Sequence, residues 1–206
     1  MTNFTVTLAA LRKEGACISG YNKVVRAVQG REFSDGDHGR ETYIRFAHKD
    51  PIPLILIVES NGLDDALWAL RCVHDCDRDA RLFAVWCARQ VQHLMTDARS
   101  TAALDVAEAF ANGRTSEDEL AAARAAAREA AWEAAWDDAW DAARDAARDA
   151  AWAAARAAAR AAAWDPARAA ARDAAGAAAW DAAWDAQKRM FIDMCNGSAP
   201  WQGATK

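Results

Sequence analysis

Trp136-Asp-Asp-Ala-Trp140-Asp-Ala-Ala-Arg144-Asp-Ala-Ala-Arg148-Asp-Ala-Ala-Trp152 is the middle of a four-residue repeat that keeps its register from Arg124 to Lys188. Each unit opens on Trp or Arg, continues with Asp, Glu or Ala, and closes on alanine as far as Ala183. The lead position departs from Trp and Arg only at Gly176 and Lys188. Alanine has the highest helix propensity, so the spacing predicts helix throughout. A step of four residues turns ~400°, which displaces each unit by ~40° around the axis. About nine units carry the Trp/Arg positions once around, so one straight helix would point them in every direction. Breaks that reset the face resolve this conflict. Asp165-Pro166 is the strongest, an Asp cap with Pro at the first helical position. Asp137-Asp138 and Gly176 are the other candidates. Two to four stacked helices with alanine-lined contacts are expected, and the tract starts at the capping box Ser116-Glu-Asp-Glu119.

Outward from the tract, the first 113 residues read as a string of short helices. Thr7–Glu14 carries Leu8, Ala10 and Leu11 and stops at Gly15. Ser19–Gln29 carries Tyr21, Val24, Val25 and Val28 and stops at Gly30. Gly30 to Gly39 is rich in turn formers and charge, hence a loop, and Thr42–Ala47 fits either a short strand or a helical turn. Asp50-Pro51 reads as a helix start, and Ile52–Val58 is apolar nearly all round, as befits a buried centre. Asn61-Gly62 ends that helix, and Asp64 or Asp65 caps the next. Asp77–Met95 is the longest amphipathic pattern of this half, followed by Ser100–Asn112 with its stop at Asn112-Gly113. The predicted fold class is all-α, a multi-helix N-terminal bundle followed by a broken, alanine-rich tetrad-repeat helical array. The expected divisions are residues 1–113, 114–194, and a flexible tail over 195–206 in which Trp201 alone is suited to tuck back.

The 206 residues carry a formal net charge of −5 with Asp and Arg interleaved, which argues against general nucleic-acid binding. Five cysteines without regular spacing suit a reducing cytoplasm. The start of the chain lacks the pattern of an export signal, and no stretch is apolar enough for a membrane partner.

Candidate chemistry concentrates in the repeat. Trp and Arg dominate binding hot spots, and the longest unbroken stretch offers Trp132, Trp136, Trp140, Arg144, Arg148, Trp152, Arg156 and Arg160 as contact residues. Two roles fit them: an aromatic and guanidinium surface that grips a partner, or tryptophan wedges, each burying ~200 Å², that hold alanine helices together. Cys72-Val-His74-Asp-Cys76 gathers two thiols and an imidazole, but no second Cys/His pair stands at zinc spacing, so no metal is expected. Loop acids such as Asp35 and Asp37 could pair with a histidine in space, a pairing that spacing alone does not specify. Glu59-Ser-Asn-Gly-Leu-Asp-Asp65 is polar enough for a site, although a helix stop followed by a cap explains nearly every residue. No nucleophile elbow or phosphate loop appears, so neither catalytic residues nor a cofactor are expected.

Leu11-Arg-Lys-Glu-Gly-Ala-Cys17-Ile-Ser-Gly20-Tyr21, Pro51-Ile-Pro53-Leu, Glu59-Ser-Asn-Gly-Leu-Asp-Asp-Ala-Leu-Trp68-Ala-Leu-Arg71 and Asp79-Ala-Arg-Leu-Phe-Ala-Val-Trp-Cys-Ala carry a resemblance. Together with Phe110-Ala-Asn-Gly leading into the alanine tract, the chain resembles an immunity-protein family of bacteria and prophages whose members carry alanine-rich Trp/Arg/Asp repeats. The resemblance implies an all-helical, non-enzymatic protein that neutralises a toxin or defence effector by stoichiometric binding. Phage occurrence makes an anti-defence inhibitor as natural as toxin immunity. The alternatives are a sponge for a nucleotide immune signal, held by stacking and charge-assisted bonds, and a structural or scaffold protein. A homo-oligomer is compatible with each.

Overall fold

The computed structural model describes residues 4–134 and 182–203. Over these the chain is mostly helical, and its sheet is a single ladder of two two-residue strands. Helix α1 (Leu8–Lys13) is capped by Thr7, whose Oγ1 accepts from Ala10 N at 3.1 Å. It buries Leu8 and Leu11 and turns at Gly15, which takes φ 81°. Helix α2 (Ile18–Val28) follows with the Cys17 thiol at its cap, accepting from Gly20 N at 3.3 Å. Tyr21, Val24 and Val25 face inward at helical spacing.

The 30–39 stretch, expected as a loop, contains one helical turn, α3 (Asp35–His38). Ser34 donates from its N–H and hydroxyl to Asp37 Oδ2 at 3.1 and 2.9 Å, a local bond set that closes the turn. Thr42–Ala47 is neither strand nor helix. The buried Asn22 replaces a ladder there: its Nδ2 donates to Thr42 O at 3.0 Å and its Oδ1 accepts from Ile44 N at 2.8 Å.

A short antiparallel ladder joins β1 (Thr5–Val6) to β2 (Ile52–Pro53), with Val6 opposite Ile52. It qualifies the all-α expectation and corrects the helix start read at Asp50-Pro51. Helix α4 (Leu54–Asn61) begins three residues later, because Ile52 pairs with Val6 and Leu54 N donates to Phe4 O at 3.0 Å. Leu54, Ile57 and Val58 are then wholly buried at the centre of the core. Gly62, at φ 95° and ψ 175°, serves as the last residue of α4's cap and the first of α5's, a conformation that only glycine adopts at ease. It also displaces the expected aspartate cap, since α5 (Leu63–Ala69) carries Asp64 and Asp65 inside its first turn. Carboxylates there face the positive end of the helix dipole.

A 3-10 turn at Leu70–Cys72 leads to α6 (Asp77–Arg89). That helix is shorter than the 77–95 pattern, whose last residues form a second 3-10 turn at Gln92–Leu94. Helix α7 (Ala98–Ala111) stops at Asn112 and Gly113, φ 66°. The capping box at Ser116 and Glu119 forms as expected: Glu119 N donates to Ser116 Oγ at 3.2 Å, and Ser116 N donates to Glu119 Oε2 at 2.8 Å. It opens α8 (Glu117–Ala134). Helix α8 lies on α7 through alanine, with Ala127 and Ala103 both fully buried and Ala123 beside them. Leu120 packs with Ala107 and Val85. Small side chains let the two backbones approach closely, and one leucine adds the apolar area that alanines lack.

The chain is described again from residue 182, where helix α9 (182–196) enters the main core. Phe191, Met194 and Cys195 are buried at i, i+3 and i+4, and Phe191 meets Phe83 edge-on at 5.7 Å. Residues 195–203, read from the sequence as a tail, also pack against the body. Ala199 is buried, Gln202 Nε2 donates to Met194 O at 3.1 Å, and Trp201 reaches α6. The candidate breaks at Asp137-Asp138, Asp165-Pro166 and Gly176 lie outside the described residues.

Candidate functional site

A cavity of about 350 Å³ opens where α1, α2, α4 and α5 converge. The short α1 and the Gly15 turn place Leu11, Ala16 and Cys17 on one side. Tyr21 and Val24 come from α2, Ile57 from α4, and Trp68 from α5. The polar groups are Asn61, Asp64, Asp65 and the exposed Cys17 thiol, and among the described residues no lysine or arginine lines the space. The volume falls at the small end of ligand pockets, roughly 300–1,000 Å³.

Asn61 organises this site. Its Nδ2 donates to Gly20 O at 2.8 Å and to Asp65 Oδ2 at 2.7 Å, while Ser60 Oγ donates to its Oδ1 at 2.7 Å. Both amide protons are therefore committed, one to the backbone of α2 and one to α5. Gly20 leaves room for two side-chain ends, because a Cβ there would stand 2.9 Å from Asp65 Oδ2 and 3.1 Å from Cys17 Sγ and would push both aside. The tyrosine wall is braced from behind: Tyr43 Oη donates to Ala16 O at 2.7 Å and stands edge-on to Tyr21 at 5.1 Å. The Arg12 guanidinium lies 4.8 Å from the Tyr43 centroid. Burial pushes the Tyr21 phenol up, with Arg12 opposing that shift. On the far side Arg71 stacks on Trp68 at 4.4 Å and donates from Nε to Trp68 O at 3.0 Å.

Of the contact residues proposed from the repeat, Trp136, Trp140, Arg144, Arg148, Trp152, Arg156 and Arg160 lie outside the described residues. Trp132 contributes backbone to α8, and its side chain is likewise outside the description. At the described ends of the tract, Arg124 is half-buried, Arg128 is exposed, and Trp184 packs against the main core.

The Cys72–Cys76 segment separates its groups. Both thiols are buried, His74 is exposed, and Cys76 Sγ approaches Leu70 O and Val73 O at 3.6 and 3.7 Å. Among the described residues no group of three or more His, Cys, Asp or Glu could hold a metal ion. Asp37 meets arginine rather than histidine: Arg26 donates from Nε and Nη2 at 3.0 and 2.7 Å, and Arg40 stands 3.2 Å away. The Arg26 guanidinium holds the Asp37 carboxyl well below the usual carboxylate range, against the opposing effect of burial and with help from Ser34. His38 instead stands edge-on to Phe33 at 4.8 Å.

The Glu59–Asp65 segment is polar in sequence, and a helix stop followed by a cap accounts for it locally. Asn61 nevertheless reaches Gly20, a contact across 41 positions that leaves no periodic signal. Among the described residues no helix is long and apolar enough to cross a membrane. Comparison with protein-family models, curated proteins and solved structures finds no match to this chain.

Proposed function

We propose that this protein acts by stoichiometric binding of a protein effector, as an immunity-type or anti-defence inhibitor of phage or prophage origin in the bacterial cytoplasm, without enzymatic turnover. The observation that supports this reading is the anchoring of the repeat at both ends. The tract begins in α8, seated on α7 through Ala127 and Leu120, and ends in α9, seated in the main core through Phe191 and Met194. A repeat held by folded elements on both sides pays less ordering entropy on contact than a free tail would. Its Trp and Arg positions from 132 to 160 form the proposed contact surface.

The test is capture from lysates of toxin-bearing or defence-bearing bacteria on the immobilised full chain. A single effector retained by the native protein, and lost with Trp140→Ala plus Arg144→Ala at unchanged Tm, is the expected result. No protein retained above background across such strains would defeat the proposal.

A nucleotide-sequestering role is the second reading. Arg124 and Arg128, the first two lead positions of the repeat, share an electrostatic neighbourhood with Arg81; burial and Arg81 lower the Arg124 pKa, and Glu117 opposes them. Three guanidinium groups beside that one carboxylate are the feature that supports an anionic ligand. A thermal-shift series with cyclic and linear nucleotides separates the readings: stabilisation by several degrees selects sequestration, and none selects a protein partner.

A further inference from the structure

Asp65 is half-buried beside apolar walls, and its hydrogen-bond donor is the neutral Asn61 amide. Among the described residues it forms no ion pair. Asp64 stands next to it at the cavity rim, exposed. A carboxylate set against low-dielectric walls focuses negative potential into the space it faces. Leu11, Tyr21, Val24, Ile57 and Trp68 meanwhile offer the apolar and aromatic surface that a hydrocarbon body buries. The site is also built in advance. Asn61 is bonded on both its oxygen and its nitrogen, and the missing Cβ of Gly20 lets the Asp65 carboxylate and the Cys17 sulfur close over the first turn of α2.

We infer that this cavity binds a small organic cation, a protonated amine or guanidinium on a short aromatic or aliphatic body. Its charge meets Asp65, and its body lies among Leu11, Tyr21 and Trp68. An anion is disfavoured because, among the described residues, no lysine or arginine lines the space and Asp65 carries negative charge into it. A purely apolar ligand desolvates Asp65 further with the Asn61 amide as its one compensating donor among the described residues, which costs affinity. A cation satisfies it through a charge-assisted hydrogen bond. None of the described lining residues belongs to the repeat positions proposed to hold an effector.

Phenethylammonium and its uncharged counterpart 2-phenylethanol test this on the full chain. Ligand-observed NMR gives the affinities, and iodoacetamide labelling followed by intact mass gives the location, because Cys17 is the only exposed cysteine of the five. The amine is expected to bind at least about tenfold more tightly than the alcohol and to slow Cys17 labelling. Asp65→Asn, which keeps the shape and removes the charge, is expected to erase that difference. Added NaCl weakens amine binding to the native protein and leaves the alcohol unaffected, a readout that stands should the variant fail to fold. Equal binding of amine and alcohol, an undiminished preference in Asp65→Asn, or binding that leaves Cys17 labelling unchanged would each overturn the inference. Absence of binding by either probe would do the same. None of these results touches capture of an effector by the repeat.

Discussion

The indole Nε1–H of Trp201 donates to Asp79 Oδ1 at 3.0 Å across 122 positions of sequence. Arg78 reinforces the junction, since its Nη2 donates to Trp201 O at 3.2 Å and to Asn112 Oδ1 at 2.8 Å. One arginine thus ties the start of α6, the end of α7 and the last described turn together. Trp201→Phe keeps an aromatic ring but removes the donor and the pyrrole part of the indole, and is expected to cost about 1–2 kcal/mol. Urea unfolding checks it, and Asp79→Asn in the same background should add little.

Phe191 tests whether the return of the chain is structural. It is fully buried against Phe83, so Phe191→Ala is expected to destabilise the whole protein by about 3–5 kcal/mol. The loss should appear in a single unfolding transition that includes α2 and α4. A change confined to one minor transition would show that 182–203 folds apart from the rest.

Acid should weaken the fold through Asp37. Its folded pKa lies below the unfolded value of about 3.9, so folding favours the ionised form. The resulting stabilisation is complete above that unfolded value and is lost as pH falls through the depressed folded one. Asp37→Asn is expected to lower stability at pH 7 and to flatten the acid limb. Thermal melts from pH 7 down to about pH 3 measure both effects.

Thiol reactivity should divide the cysteines one to four. Cys17 is exposed, whereas Cys72, Cys76, Cys87 and Cys195 are buried. Burial raises the Cys87 thiol pKa and pushes Cys195 up to about 12, so the reactive thiolate is scarce at both. One maleimide per native chain and five per denatured chain are expected by intact mass.

Asn22 holds the 42–44 segment in place of a strand partner. Asn22→Ala leaves Thr42 O and Ile44 N without their bonds, at roughly 1–3 kcal/mol for each group that stays buried. Hydrogen exchange at the Ile44 amide should rise before any other sign of unfolding.

Local features were legible in the sequence where the physics is local. The glycine stops at 15, 30, 62 and 113 and the Ser116–Glu119 box are settled within four residues by side-chain bonds to backbone and by the freedom of glycine at positive φ. The all-round apolar run that fills α4 announced its own burial. Tertiary pairing decided the rest. The β1–β2 ladder moved the start of α4 because Val6 and Ile52 bury together, and nothing within either segment encodes the other. The cavity required Asn61 to find Gly20, and the last turn required Trp201 to find Asp79. Periodicity records which face of an element is apolar, whereas only the folded chain decides which two faces, far apart in sequence, exclude water between them.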